Sequence, residues 1–121
     1  MKFTLAIKKN HEFARIYKKG RYYVGRFLIL YALKGGDAPK AGAAAQEGFN
    51  SMGVTASKKV GKSVRRNRLK RLVKENYRAV EPALRRGLAL VFVVRASEQL
   101  PSYADVGADM ASLLKRAGAL R

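Results

Sequence analysis

The apolar run Leu88–Val94 places the strongest constraint on the fold. It is rich in Val and Leu, it follows Gly87, and it contains no polar residue. Such a run is typical of a strand that is covered on both faces, and it is far shorter than the roughly 20 apolar residues of a membrane-spanning helix. We therefore expect a sheet covered by helices, in a chain that does not cross a membrane.

The first predicted helix is short and has an aromatic edge. Asn10 is a candidate N-cap, and Phe13, Ile16 and Tyr17 then recur at helical spacing. Two lysines precede Gly20, which is a typical helix stop. This pattern predicts a helix of about ten residues with one apolar face.

Two further helices are predicted in the second half of the chain. Ser63 is a candidate N-cap for a long basic helix, and Pro82 ends or kinks that helix near Glu81. Ser102 and Asp105 have the spacing of a capping box at the start of the last helix. The expected apolar stripes are Leu69, Leu72, Val73, Tyr77, Val80 and Leu84 for the basic helix, and Val106, Met110, Leu113, Leu114 and Ala117, before Gly118, for the last helix.

The remaining segments predict strands and one loop. Residues 21–33 are extended, with Gly25 as a possible bulge, and Phe49–Ser57 forms another strand with Met52, Val54 and Ala56 on one face. Small residues dominate Lys34–Gly48, which we interpret as a mobile loop inside the domain. The order helix, two or three strands, basic helix, strand, helix indicates one α+β domain over residues 1–121.

The segment Lys58–Lys74 carries nine basic residues in seventeen positions and no acidic residue. It joins a strand end, a glycine turn and a helix start, where unpaired N–H groups and the helix dipole attract phosphate. Guanidinium groups bind phosphate oxygens in pairs, and Asn67 can donate and accept hydrogen bonds toward a base or a ribose. On a solvated face without a partner these nine cations would repel one another, so the cluster indicates a polyanionic ligand.

The same segment also resembles a nucleotide-binding P-loop. Ala56–Ser63 ends in Gly61, Lys62 and Ser63 between a strand and a helix, but Ala stands where the motif has its first glycine. The next strand ends in Arg95, with no Asp to hold Mg²⁺. We therefore do not expect nucleotide hydrolysis.

Three aromatic residues have two interpretations. Phe13 and Tyr17 project from one edge of the first helix, and Tyr31 belongs to the following strand. Rings beside cations could form a groove in which the bases of a single strand stack. Helical spacing is first of all a packing signal, so the residues alone favour core packing over a groove.

Composition excludes several classes of site. Net charge is +18, from 26 basic and 8 acidic residues, which points to nucleic acid or a membrane surface as partner. The chain has no cysteine, and its single histidine, His11, lies near a helix start without a carboxylate pair beside it. The acidic residues show no metal-ligand spacing, so we predict no protein-based active site.

The first residues contain no long apolar stretch before Lys8 and Lys9, so we expect no signal peptide and a cytoplasmic protein.

Two adjoining motifs resemble the protein subunit of bacterial ribonuclease P. The first is the strand and turn Val54–Gly61, which contains Lys58 and Lys59 before the glycine, and the second is the helix start Val64–Leu72, which contains Arg66, Asn67 and Arg68. The resemblance covers nearly the whole chain. Tyr17 stands where a Phe is common in that family, which keeps a ring and adds a hydroxyl.

The resemblance implies a fold and a function. The family fold is a single α+β domain in the order helix–three strands–helix–strand–helix, with a small four-stranded sheet and a left-handed crossover that carries the basic helix. Its RNA subunit hydrolyses the phosphodiester with Mg²⁺, and the protein, for which we expect no tightly bound cofactor, helps the RNA to recognise precursor tRNA. The implied contacts to the catalytic RNA are Arg65, Arg66, Asn67, Arg68, Lys70, Arg71 and Lys74, and those to the 5′ leader are Phe13, Tyr17, Tyr31, Ser57 and Lys59.

The expected partners are therefore the catalytic RNA and precursor tRNA, with a protein that is monomeric when free. A general basic structural RNA-binding protein, of ribosomal or nucleoid type, is the alternative. It would bind any duplex with similar affinity and show no preference for a 5′ single-stranded extension. A stand-alone nuclease is a third hypothesis, against which the residue inventory argues.

Overall fold

The computed structural model describes residues 2–34 and 49–121. The elements in chain order are β1 (Thr4–Ala6), α1 (Asn10–Lys19), β2 (Arg21–Val24), β3 (Leu28–Lys34), β4 (Asn50–Ala56), α2 (Ser63–Val80), β5 (Leu88–Val94) and α3 (Tyr103–Arg116). Short 3-10 turns at Lys58–Val60 and Glu81–Ala83 precede and follow α2. The loop predicted over 34–48 lies outside the described residues apart from Lys34, which ends β3.

Within the described residues the sheet has five strands in the order β1-β4-β5-β3-β2. The predicted α+β class is confirmed, but the expected number of four strands is wrong. The additional strand, β1, is only three residues long and pairs in parallel with Asn50–Met52. Strand β5 lies at the centre, parallel to β4 and antiparallel to β3. Helix α2 connects the parallel pair β4 and β5, as expected; the left hand of this crossover stays a prediction.

The two faces of the sheet differ in how they are covered. We call the face under α2 and α3 the closed face; its core includes Leu30, Leu90 and Phe92 of the central strands, each fully buried. We call the other face the open face; α1 packs on it through Ile16 and covers part of it. All of β5 except Val93 is buried, which confirms the predicted doubly covered strand. The remaining closed-face core is Leu28, Met52, Leu69, Val73, Tyr77, Val106, Met110, Leu113 and Leu114.

Strands β2 and β3 form a hairpin, so three strands lie between α1 and α2, the larger of the two expected numbers. The Gly25 N–H donates to Leu28 O over 2.8 Å, so Arg26 and Phe27 are the two turn residues and Gly25 is not a bulge. The Asp109 carboxylate of α3 accepts hydrogen bonds from the N–H groups of Arg26, Phe27 and Leu28 at 2.8–2.9 Å. A Cβ on Gly25 would lie 2.5 Å from Asp109 Oδ1, so glycine is needed for this approach. The turn is therefore fixed by a side chain from α3, more than 80 residues away in sequence.

The predicted helix ends are partly correct. Ser102 and Asp105 form the expected capping box, α2 ends at Val80 before Pro82, and Gly118 follows α3 with φ of 69°. Asn10 and Ser63 are not N-caps as predicted: each is the first residue of its helix. The caps are Lys9 and Lys62, which provide no side-chain hydrogen bond.

The short strand β1 is held by two polar contacts to the end of α2. Thr4 Oγ1 and the Tyr77 hydroxyl are 2.8 Å apart, and the Lys2 N–H donates to Glu81 Oε1 over 2.6 Å. Burial raises the pKa of Tyr77 to about 12, although its hydrogen bonds to Thr4 and Asn50 act in the opposite direction. Burial would also raise the pKa of Glu81, but hydrogen bonds from Thr4, Lys2 and Phe3 outweigh it and lower that pKa.

Candidate nucleic-acid interface

Three aromatic rings lie together on the open face. The ring centroids of Phe13 and Tyr17 are 6.4 Å apart, and those of Tyr17 and Tyr31 are 4.8 Å apart in an edge-on arrangement. Phe13 and Tyr31 are half-buried, and Tyr17 is 37% exposed. The structure thus brings the three rings together and leaves each of them partly accessible, which core packing alone does not require.

Two residues of β4 fix the positions of the Phe13 and Tyr17 rings. A Cβ on Gly53 would lie 2.5 Å from Phe13 Cε1, so the Phe13 ring rests directly on the backbone of the sheet. The Tyr17 hydroxyl is 3.3 Å from Thr55 Oγ1. Gly53 and Thr55 are two residues apart on β4 and therefore share the open face. This contact to Tyr17 depends on the hydroxyl that a Phe would lack.

Ser57 and Lys59 lie just beyond the end of β4 that carries Thr55. Both are exposed, and Ser57 precedes the 3-10 turn Lys58–Val60 with an extended backbone. This turn stands where the P-loop hypothesis needs an open loop around phosphate, so the geometry does not favour that hypothesis. Ser57 and Lys59 are thus at the end of the aromatic surface, as their predicted grouping requires; their contact with RNA stays a prediction.

Helix α2 presents most of its cations to solvent. Leu69, Val73 and Tyr77 are buried against the closed face, which orients the opposite side of the helix outward. The predicted contacts that are exposed are Asn67, Arg68, Arg71 and Lys74, and those that are half-buried are Arg65, Arg66 and Lys70. Arg66 Nη2 donates to the Ser63 hydroxyl over 3.2 Å. The cations therefore lie along one helix rather than being scattered.

Arg65 differs from the other cations of α2. Its Nη2 donates to Ser97 O over 2.7 Å and to Gln99 O over 3.3 Å, so it holds the segment that follows β5. Its side chain also packs on Gly61, where a Cβ would lie 2.7 Å from Arg65 Cδ. Sequence reasoning grouped Arg65 with the RNA contacts and missed this structural role, which depends on the distant 97–99 segment.

Lys74 connects the cationic helix with the aromatic surface. A cavity of about 140 Å³ lies between Phe13, Gly53, Val54 and Lys74. Lys74 belongs to α2 and was predicted to contact the catalytic RNA, yet it lines the same cavity as Phe13. The two predicted surfaces are thus neighbours that share a border at Lys74.

Across residues 2–34 and 49–121, no three His, Cys, Asp or Glu side chains gather closely enough to hold a metal ion. No helix in this part of the chain is long and apolar enough to cross a membrane. His11 is exposed at the second position of α1.

Sequence reasoning missed two residues of the open face. Tyr22 lies opposite Tyr31 in the hairpin, with ring centroids 5.9 Å apart, and Thr55 contacts Tyr17. The interpretation of Gly25 as a possible bulge hid the pairing, because only a two-residue turn at Arg26 and Phe27 places Tyr22 beside Tyr31. The Gly25 signal that was interpreted as a bulge was the available clue.

Comparisons with known proteins identify a family and a shared fold. A family model described as Ribonuclease P matches residues 1–118. A ribonuclease P protein component of Clostridium botulinum (strain Loch Maree / Type A3) is 42% identical over 113 residues, which cover 93% of each chain. The RNase P protein of Staphylococcus aureus matches with a TM-score of 0.79 and 25% identity over 96% of this chain and 97% of its own. That of Thermotoga maritima, with a TM-score of 0.74 and 24% identity over 93% and 96%, shares the fold.

Proposed function

The chain belongs to the ribonuclease P protein family, and from that premise we propose that it binds the catalytic RNA through α2 and the single-stranded 5′ leader of precursor tRNA on the open face. The observation that carries the proposal is the adjacency of two unlike surfaces, a row of half-exposed rings and a row of cations, which meet at Lys74. In this proposal the RNA subunit hydrolyses the phosphodiester with Mg²⁺, and the protein contributes binding energy.

The aromatic surface fits a single strand rather than a duplex. Every nucleobase has a π-face that stacks on an aromatic ring, but in a duplex these faces are already occupied by neighbouring bases. Phe13 and Tyr17 offer rings that β4 fixes, Tyr31 packs edge-on against Tyr17, and all three rings remain partly accessible. Ser57 and Lys59, exposed at the end of β4, can contact the phosphates and sugars of the same strand.

The cationic surface fits a folded RNA. Arg68, Arg71 and Lys74 are exposed on successive turns of α2, so they can follow a phosphate backbone. Arg66 and Arg68 carry planar guanidinium groups that bind phosphate in a bidentate manner, and Asn67 between them can contact a base or a ribose. Arg65 contributes less to RNA binding in this proposal, because its guanidinium already donates to Ser97 and Gln99.

Reconstitution with a cognate catalytic RNA tests the proposal. The protein should raise cleavage of precursor tRNA at moderate Mg²⁺, and Arg68→Ala should weaken assembly with the RNA and lower the salt dependence of binding by about one phosphate contact. Lys115→Ala removes an exposed cation from the last turn of α3 and serves as the matched control.

Two outcomes would contradict the proposal. The first is the absence of any stimulation of the RNA by the protein. The second is equal affinity for any duplex with no gain from a 5′ extension, which is the behaviour expected of a general basic RNA-binding protein. Turnover of precursor by the protein without RNA would instead establish a stand-alone nuclease.

A further inference from the structure

We propose that the leader-binding groove continues past Tyr31 to the outer edge of the sheet, where Tyr22 provides one further stacking position for a nucleobase. This inference rests on the proposed function and extends its site by a residue. Tyr22 lies on β2, the edge strand, and neither the three-ring surface nor the cationic helix includes it.

The position of Tyr22 continues the row of rings. Tyr22 and Tyr31 are register partners in the hairpin, and their ring centroids are 5.9 Å apart with an interplanar angle of 38°. Together with the Tyr17–Tyr31 contact, this gives an unbroken series of four rings from Phe13 to Tyr22. Tyr22 is 65% exposed, which leaves most of its surface available to a ligand.

A continuous floor lies beside these rings. Val24 pairs with Ile29, Ile29 pairs with Val93, and Val93 pairs with Thr55, so four strands contribute one residue each to a single row. Ile29, Val93 and Thr55 are half-buried, and Val24 is 44% exposed. The row belongs to the open face because Thr55 contacts Tyr17. Three strand spacings make the floor about 14 Å long, which is more than one nucleobase requires.

A cation lies at the end of this floor that faces away from α1. Arg95 follows β5, two residues after Val93, and is exposed, whereas the guanidinium of Arg26 lies 5.0 Å from the ring of Phe27 in the closed-face core. Arg95 Nη1 donates to Gly25 O over 2.6 Å, which holds the guanidinium near the turn. A groove with rings along one wall and a guanidinium group at the other side matches a single strand, whose bases and phosphates lie on opposite sides. A row of four rings suits stacked nucleobases better than it suits an acidic peptide, so the occupant is single-stranded RNA.

A series of precursor tRNAs that differ only in leader length tests the inference. With the reconstituted holoenzyme, Tyr22→Ala should weaken binding of long-leader precursor about fivefold, the lower end expected for one stacked base, and should leave mature tRNA unchanged. The affinity of the variant should also stop increasing at a shorter leader than that of the wild type. Tyr22→Phe keeps the ring and should retain wild-type affinity.

Tyr103→Ala is the control for loss of an exposed tyrosine, since Tyr103 starts α3 and contributes no ring to the open face. Unchanged binding by Tyr22→Ala, or an equal loss for all leaders and mature tRNA, overturns the inference. If Phe13→Ala still weakens leader binding in that case, the groove ends at Tyr31 and the proposed function stands. If neither variant responds to the leader, the proposed function fails as well.

Discussion

The closed and open faces of one sheet differ in how completely the helices bury their apolar side chains. On the closed face, α2 and α3 bury residues such as Leu30, Leu90 and Phe92 completely. On the open face, α1 buries Ile16 completely but leaves Phe13, Tyr17 and Tyr31 partly accessible. Both faces are apolar and aromatic in composition, so hydrophobicity alone does not distinguish a core from a binding surface.

The difference lies in what supports the aromatic side chains. Phe92 on the closed face is surrounded by other side chains and packs edge-on against Tyr77, with centroids 6.3 Å apart. Phe13 on the open face rests on the backbone at Gly53, and Tyr17 is held through its hydroxyl by Thr55. A ring that is fixed from below and accessible from above is preorganised for stacking with a ligand, which lowers the entropy cost of binding.

The largest expected effect distinguishes the two faces by stability. Phe92→Ala should lower the free energy of unfolding by about 3–5 kcal/mol, because it leaves a cavity in a fully buried core. Phe13→Ala should cost only about 1 kcal/mol, since its ring is half-buried. Urea unfolding followed by circular dichroism measures both. Equal losses would show that the open face is a core and would contradict the groove.

The second effect depends on pH and concerns the closed face. Tyr77 ionises near pH 10 in the unfolded chain but keeps its proton to about pH 12 in the fold, where burial opposes the charge. The unfolded state therefore loses this proton first, and stability should fall by about 1.4 kcal/mol per pH unit as pH rises through that window. Tyr77→Phe should flatten this slope while lowering stability at neutral pH, because Thr4 loses its partner. If Tyr77→Phe had the same dependence of stability on pH as the wild type, burial of the Tyr77 hydroxyl would not be the cause of that dependence.

The third effect concerns the contact between α3 and the β2–β3 turn. Asp109 of α3 accepts three backbone N–H groups of the β2–β3 turn, so Asp109→Ala should cost about 2 kcal/mol and speed amide exchange at Phe27 and Leu28. Hydrogen exchange followed by NMR gives the site-specific result. Asp105→Ala, which loses the exposed capping box instead, should leave exchange in the turn unchanged. Slow exchange at Leu28 in Asp109→Ala would show that other contacts hold the turn.

The smallest effect tests how the open face supports Phe13. Gly53→Ala places a methyl group where the ring lies, so the ring must move while the fold persists. Leader affinity should fall about fivefold, with mature tRNA unaffected. In a Phe13→Ala background the same substitution should have little further effect, as a double-mutant cycle would measure. Additive losses would show that Gly53 acts on leader binding by another route.

Local features of the fold could be predicted from the sequence. The capping box at Ser102, the stop at Pro82 and the strand Leu88–Val94 depend on neighbouring residues, and the structure has each of them as expected. The caps of α1 and α2 were misplaced by one residue, because Asn10 and Ser63 are favourable cap types whose side chains do not cap. Strand β1 has three residues and forms only because β4 offers an edge, a long-range condition that periodicity does not reveal.

The site could be predicted in part. The residues that cluster in sequence, from Arg65 to Lys74, share one helix, and family resemblance identified the three rings that the structure groups. The position of Tyr22 requires the hairpin register, and the attachment of Arg65 to the 97–99 segment requires the position of that segment after β5. The contact of Arg65 joins distant positions and no local pattern shows it, whereas Gly25 before a two-residue turn is a local clue to the position of Tyr22.

The proposed role of the protein is to add recognition of the 5′ leader to an RNA that performs the cleavage. The most direct test measures the affinity of the catalytic RNA for precursor tRNA and for mature tRNA, with and without the protein, at one salt concentration. We expect the protein to strengthen precursor binding well above mature tRNA binding, and Phe13→Ala to reduce that preference. An equal gain for both substrates, or no gain for either, would contradict the account.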